Sequence, residues 1–126
     1  VADELALPYA YVRPKPKDHG MKNQIEGELP AGSKVVVVED LISTGSSSLK
    51  AVAALREAGF EVVGMVASYT YGFPVAEEAF READVKLVTL TDYEHVVEKA
   101  LETGYIKESE VTMLHDWRKD PANWKK

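Results

Sequence analysis

The run Val35-Val36-Val37-Val38 constrains the fold of this chain more than any other segment. β-Branched side chains favour extended backbone. Such a run without a polar alternate fits a central parallel strand covered on both faces. A parallel neighbour cannot be reached by a tight turn, so helical crossovers must follow. The downstream sequence supplies them. Ser46 to Ala58 reads as a helix that Ser46 or Ser47 can cap, with Leu49, Val52, Ala53 and Leu55 on its apolar side and Gly59 as its stop. Glu61–Ser68 reads as the next strand, Pro74–Ala83 as a short helix with proline in its first turn, and Val85–Leu90 as another strand. Asp92 is placed to cap a helix whose apolar positions Tyr93, Val96, Val97, Ala100 and Leu101 follow the helical period, and Gly104 ends it. A last helix covers Lys107 to about Trp117. Upstream, Leu7–Arg13 is apolar and aromatic enough for a strand, and polar Pro14–Leu29 reads as a long loop. Strands that alternate with helices predict an α/β fold with a mainly parallel sheet flanked by helices.

With 126 residues, the chain is sized for one domain, 1–126. The net charge of −6 argues against a general nucleic-acid binder while leaving room for a local basic anion site. There is no cysteine, so disulfides and thiolate zinc sites are excluded, as fits a cytoplasmic protein. No apolar run approaches the length of a membrane span. The chain opens on Val1, and Val1 to Leu5 resembles the last turn of a helix, which predicts truncation at the N-terminus.

In open α/β sheets, ligands bind beyond the carboxyl ends of the strands. Glu39-Asp40-Leu41-Ile42-Ser43-Thr44-Gly45-Ser46-Ser47 occupies such a place. Its loop N–H groups and the start of the next helix suit a phosphate. Ser43, Thr44, Ser46 and Ser47 add hydroxyl donors, and Gly45 allows close approach of the backbone. Glu39 and Asp40 would repel a phosphate at the same spot, but as ionised acceptors they suit the vicinal hydroxyls of a ribose. The segment contains neither the Gly-Lys-Ser/Thr of a Walker A loop nor the dinucleotide fingerprint. Taken alone, it also fits a capped helix after a strand, with two solvated acids. A second segment, Arg13-Pro14-Lys15-Pro16-Lys17-Asp18-His19-Gly20, gathers cationic groups that could close over a polyanion or simply be solvated. A third, Ser68 to Phe73, stands where a base pocket belongs, but its aromatics also fit a core cluster.

Val35 to Ser48 (VVVVEDLISTGSSS) resembles the phosphoribosyl pyrophosphate (PRPP) signature of the type I phosphoribosyltransferases, a family with a Rossmann-like core. Tyr11-Val12-Arg13 followed by Lys-x-Lys-Asp-His-Gly, with Ile25-Glu26-Gly27 after it, is similar to the catalytic loop of the orotate-specific branch. The resemblance implies transfer of the phosphoribosyl group from PRPP to orotate, in pyrimidine (UMP) biosynthesis. It implies PRPP contacts from Arg13, Lys15, Lys17, His19 and Glu39 through Ser47 (Glu39, Asp40, Leu41, Ile42, Ser43, Thr44, Gly45, Ser46, Ser47). Lys17, His19 and Asp40 are its implied catalytic residues, and Ser43, Thr70 and Tyr71 are expected on the orotate side. Mg²⁺ is the implied cofactor, held mainly by substrate oxygens. A homodimer is also implied, in which the Pro14–Gly27 loop crosses to the neighbouring site. Where many relatives have a second basic residue after the arginine, this chain has Pro14, with Lys15 one place on. The family's N-terminal hood, a lysine-bearing segment and a pyrophosphate loop have no counterpart, so the chain alone is expected to be inactive. A purine phosphoribosyltransferase would not be expected to carry the Lys-x-Lys-Asp-His-Gly loop. A non-catalytic, nucleotide-sensing member would have lost the loop lysine.

Overall fold

The protein is described from a computed structural model covering residues 1–15 and 24–125. Lys17 and His19 lie outside the described residues. The strand expected over Leu7–Arg13 is confined to β1 (Tyr11–Val12), which pairs antiparallel with β2 (Ile25–Glu26). Leu7 and Tyr9 are exposed, and among the described residues no ladder includes the segment before Tyr11. Gly27 is required by this pairing. Its φ is 125°, and a Cβ there would lie 2.6 Å from the carbonyl oxygen of Tyr9.

The central sheet is built from β3 (Lys34–Ile42), β4 (Glu61–Thr70) and β5 (Leu87–Asp92), parallel and in that spatial order. Helix α1 (Ser46–Glu57) links β3 to β4, and α2 (Pro74–Glu82) links β4 to β5. Helices α3 (Tyr93–Glu102) and α4 (Glu108–Lys119) follow, with a 3₁₀ turn at Pro121–Asn123. The expected alternation of strands and helices is therefore present. β5 begins two residues later than expected, because Asp84 takes a left-handed φ of 52° and Val85 turns into the core before the ladder starts. Asp92 caps α3 as expected, its carboxylate accepting from the His95 amide at 2.9 Å.

The strand order dictates where the core lies. Crossovers between parallel strands are right-handed, so a sheet that grows in one direction receives successive helices on the same face. Val52 of α1 and Ala76 and Phe80 of α2 accordingly meet Ile42, Met65, Ala67 and Val85 in one buried cluster. The Arg56 guanidinium fastens α1 to the end of α2 by donating to the carbonyls of Ala83 (2.6 Å) and Asp84 (3.1 Å).

The expectation that β3 is covered on both faces fails in this structure. Val36, Val38, Val63, Val66, Val88 and Leu90 form an uncovered apolar face, with Val38 55% and Leu90 79% exposed. The valine run reports a strand's need for two apolar neighbours, but the two crossovers here can satisfy only one face. An apolar face of this extent promotes association. The 126-residue chain by itself is therefore expected to self-associate, and Val38→Lys combined with Leu90→Lys to suppress it. Sedimentation velocity checks this, and a strictly monomeric unsubstituted chain at tens of micromolar would rule it out.

Candidate functional site: the loop between β3 and α1

β3 carries the acids to the carboxyl end of the sheet, and successive strand residues project to opposite faces. Glu39 turns toward α1, where its Oε2 accepts the buried Ser48 hydroxyl at 2.7 Å. Asp40 is exposed, and its Oδ1 accepts the Leu41 amide at 2.7 Å. The two carboxylates thus differ: Glu39 is anchored to the helix, and Asp40 keeps free acceptor capacity. Leu41 is exposed, whereas Ile42 is 1% exposed and locks the end of the strand into the core. Any contact from Ile42 to a ligand must come from its backbone.

The helix start departs from the expected serine cap. The N-cap position is Gly45, left-handed with φ 82° and ψ 0°, and no side chain caps the helix. Among the described residues the Thr44 hydroxyl alone reaches back, loosely accepting the Ser46 amide at 3.4 Å. Ser46 and Ser47 are exposed in the first turn instead. Serine is a good N-cap in extended backbone, but a left-handed N-cap is glycine territory. Close packing adds a second demand, since a Cβ on Gly45 would meet the Phe80 ring at 2.7 Å. The outcome is an exposed, uncapped helix N-terminus on a rigid support, an arrangement that favours an anion.

A cleft of about 580 Å³ opens in front of this turn, between α1 and the β1 end. Arg13, Gln24, Glu39, Thr44, Ser46, Ser47 and Lys50 are among its lining residues. Arg13 is held on the returning strand. Its Nη2 pairs with Glu26 at 2.6 Å, and its carbonyl accepts the Gln24 side-chain amide at 2.9 Å. Its Nε–H is the buried side-chain donor without a partner among the described residues. Lys15 is exposed and does not line the cleft. Lys50 does, and it is not among the residues expected to bind. The available signal was its spacing, four residues after Ser46 and so on the same side of the helix.

The expected base side lies at the end of β4. Thr70 adjoins a second cleft of about 370 Å³ under α2, and its Oγ1 accepts the Gly72 amide at 3.1 Å. The Tyr71 amide donates to the Ile42 carbonyl at 3.1 Å, which ties this segment to the end of β3. The Tyr71 ring is stacked on Phe73 with centroids 5.2 Å apart, and it also meets Tyr69, Tyr93 and Trp117. Burial and the neighbouring tyrosines push the Tyr69 hydroxyl up to about 12, so it stays protonated at any physiological pH.

Residues 1–103 match the phosphoribosyl transferase domain family. The chain belongs to the phosphoribosyltransferase family. The match contains both the acid–hydroxyl loop and the base-side segment. The chain is 69% identical over 124 residues to the orotate phosphoribosyltransferase of Bacteroides thetaiotaomicron, covering 98% of this chain and 58% of that one. In fold it is similar to the orotate phosphoribosyltransferase of Aeropyrum pernix, with a TM-score of 0.71 and 34% identity over 84% of this chain and 57% of that one. It also resembles the Mycobacterium tuberculosis orotate phosphoribosyltransferase solved with PRPP, with a TM-score of 0.57, 30% identity, and coverage of 70% of this chain and 49% of that one. This phosphoribosyltransferase chain thus spans about half the length of these relatives, from 49% to 58%.

Proposed function

We propose that this chain supplies the ribose-phosphate half of an orotate phosphoribosyltransferase. The observation that carries the proposal is the exposed N-terminus of α1. No side chain caps it, left-handed Gly45 precedes it, and it faces a cleft lined by Arg13 and Lys50. The reading makes the Thr44–Ser47 amides and hydroxyls the holders of the PRPP 5′-phosphate. Asp40 accepts hydroxyls of the ribose, while Glu39, braced by Ser48, fixes the strand end beside it. Orotate N1 attacks C1 of the ribose, forming the C–N bond as the C–O bond to pyrophosphate breaks; the pyrophosphate departs with the electron pair, and the N1 proton passes to it or to water. Positive charge that develops on the ribose is stabilised by Asp40 and Glu39, and negative charge on the leaving group by Arg13, Lys15, Lys17 and His19. The chain's part is to position the reactants and neutralise charge, and no protein nucleophile is involved. Ser43, Thr70 and Tyr71 border the orotate.

The donor chemistry fits Mg²⁺ carried in with the substrate. Among the described residues no cluster of three or more His, Asp or Glu could hold a metal, and Asp40 is the exposed carboxylate nearest the loop. A divalent ion bound through PRPP oxygens and water needs no more than that. The reading places the enzyme in the cytoplasm; among the described residues no helix is long and apolar enough to cross a membrane. The reading also includes a homodimer, in which Lys17 and His19 of one subunit serve the other's pyrophosphate.

The test is an assay of the complete gene product with PRPP and, in turn, orotate, uracil, adenine and hypoxanthine. Orotidine 5′-monophosphate formation from orotate alone is expected. Preference for a purine would move the chain to the salvage branch, and binding of PRPP without turnover of any base would make it a sensor.

A further inference from the structure

We infer that Arg118, on the last turn of α4, is a positioning residue for the base end of the site, an assignment that rests on the orotate reading above. Its Nη1 donates to two successive backbone carbonyls, those of Tyr71 (3.1 Å) and Gly72 (3.0 Å), more than forty residues away in sequence. Nη2 donates to the Glu94 carboxylate at 3.3 Å, which holds the guanidinium plane from α3. These carbonyls follow the last residue of β4, where the ladder no longer supplies donors. The amides of the same two residues are held by Ile42 and Thr70, so the segment is fixed from both sides.

Gly72 shows that the close approach matters. It is left-handed, with a φ of 67°, and a Cβ there would lie 3.1 Å from Arg118 Nη1. The neighbouring Trp117 ring packs on Tyr71 at 5.6 Å and on Tyr93 at 5.6 Å, which seats α4 against this segment. The two N–H groups of Nη1 serve one carbonyl each, and the planar guanidinium, held at Nη2 by Glu94, fixes their directions; a lysine ammonium has three donors but no such fixed geometry. Helix α4 lies beyond the family match that ends at residue 103. By this inference it nonetheless sets the conformation of the Thr70–Gly72 segment, which the proposed function places against the base. The proposed phosphate loop packs on Phe80 and runs into α1, and its link to this segment, the Tyr71 amide on the Ile42 carbonyl, is not made by Arg118.

The experiment uses the complete protein, with orotate and PRPP varied separately, for Arg118→Met and Arg118→Lys. Arg118→Met is expected to raise the orotate KM about tenfold while leaving the PRPP KM within about twofold, since loss of a charge-assisted contact should be felt where it acts. Arg118→Lys should fall between, because its ammonium can still donate to the carbonyls but lacks the rigid plane that Glu94 holds. A role confined to stability would lower Tm or kcat with both KM values unchanged, and that result overturns the inference. Should Arg118→Met not fold, Arg118→Lys decides by the same criterion. Hydrogen exchange of the Tyr71, Gly72 and Phe73 amides gives a readout independent of turnover. Selective acceleration in Arg118→Lys supports the clamp, and unchanged exchange there overturns it. If the wild type does not turn over orotate, the functional reading fails, while the exchange result still decides whether Arg118 holds the segment.

Discussion

Asp40→Asn in the complete protein is expected to lower kcat/KM for PRPP by about 10²-fold or more, with little change in Tm. Asparagine keeps the shape of the side chain and an oxygen that can still accept the Leu41 amide, a bond now 2.7 Å long. The exposed position asks for no repacking. What is lost is the charge, and with it the charge-assisted bonds that the proposed mechanism gives to the ribose hydroxyls. Glu39→Gln is the informative companion, because that residue's defined partner is the buried Ser48 hydroxyl, which glutamine can still accept. Measuring kcat/KM for PRPP together with thermal melts separates the two roles. A value within about threefold of wild type for Asp40→Asn would make these acids structural.

The same substitution tests the dimer. If the segment bearing Lys17 serves the neighbouring site, mixing Asp40→Asn subunits with Lys17→Ala subunits should recover activity. Half of the randomly formed dimers then contain one site with both groups intact, so about a quarter of wild-type activity should return. No recovery, with subunit exchange shown independently, would confine Lys17 to its own subunit or remove its catalytic role.

The sequence made the order of elements legible because the signals are local: a β-branched run, an aspartate before a helical period, a proline at the start of α2. It did not reveal the uncovered face. The direction in which a sheet grows is a property of topology, and the four valines look the same whichever face the helices take. The helix start was misread for a related reason. A string of hydroxyl residues announces a cap, but the backbone places Gly45 at that position, and the ring that forbids a side chain there comes from Phe80, thirty-five positions on. Nothing near Arg118 in sequence distinguishes it from a solvated helix residue, and only the spacing from Ser46 distinguishes Lys50. Their neighbours are the cleft and the end of β4, which only the fold brings to them.

Gly45→Val should abolish phosphate binding and lower stability together, and the two losses have separable causes. Valine at a φ of 82° is strained, at a cost of roughly 1–3 kcal/mol for a β-branched residue. Its Cβ would also lie 2.7 Å from the Phe80 ring, which is 4% exposed and lodged between the two helices. The ring cannot withdraw without opening the cluster formed by Val52, Met65 and Ala76. The loop must therefore move away from α2, and the amides of the first turn of α1 move with it. Gly45→Ala combined with Phe80→Leu relieves the clash but keeps the backbone strain and adds a core cavity, whose share of the stability loss the single variant Phe80→Leu measures. Titration of the complete protein with ribose 5-phosphate, with thermal melts in parallel, is the measurement. Gly45→Val is expected to show no saturable binding and a lower Tm, and the double variant to regain part of the affinity. If Gly45→Val binds ribose 5-phosphate as the wild type does, the phosphate does not sit on this loop.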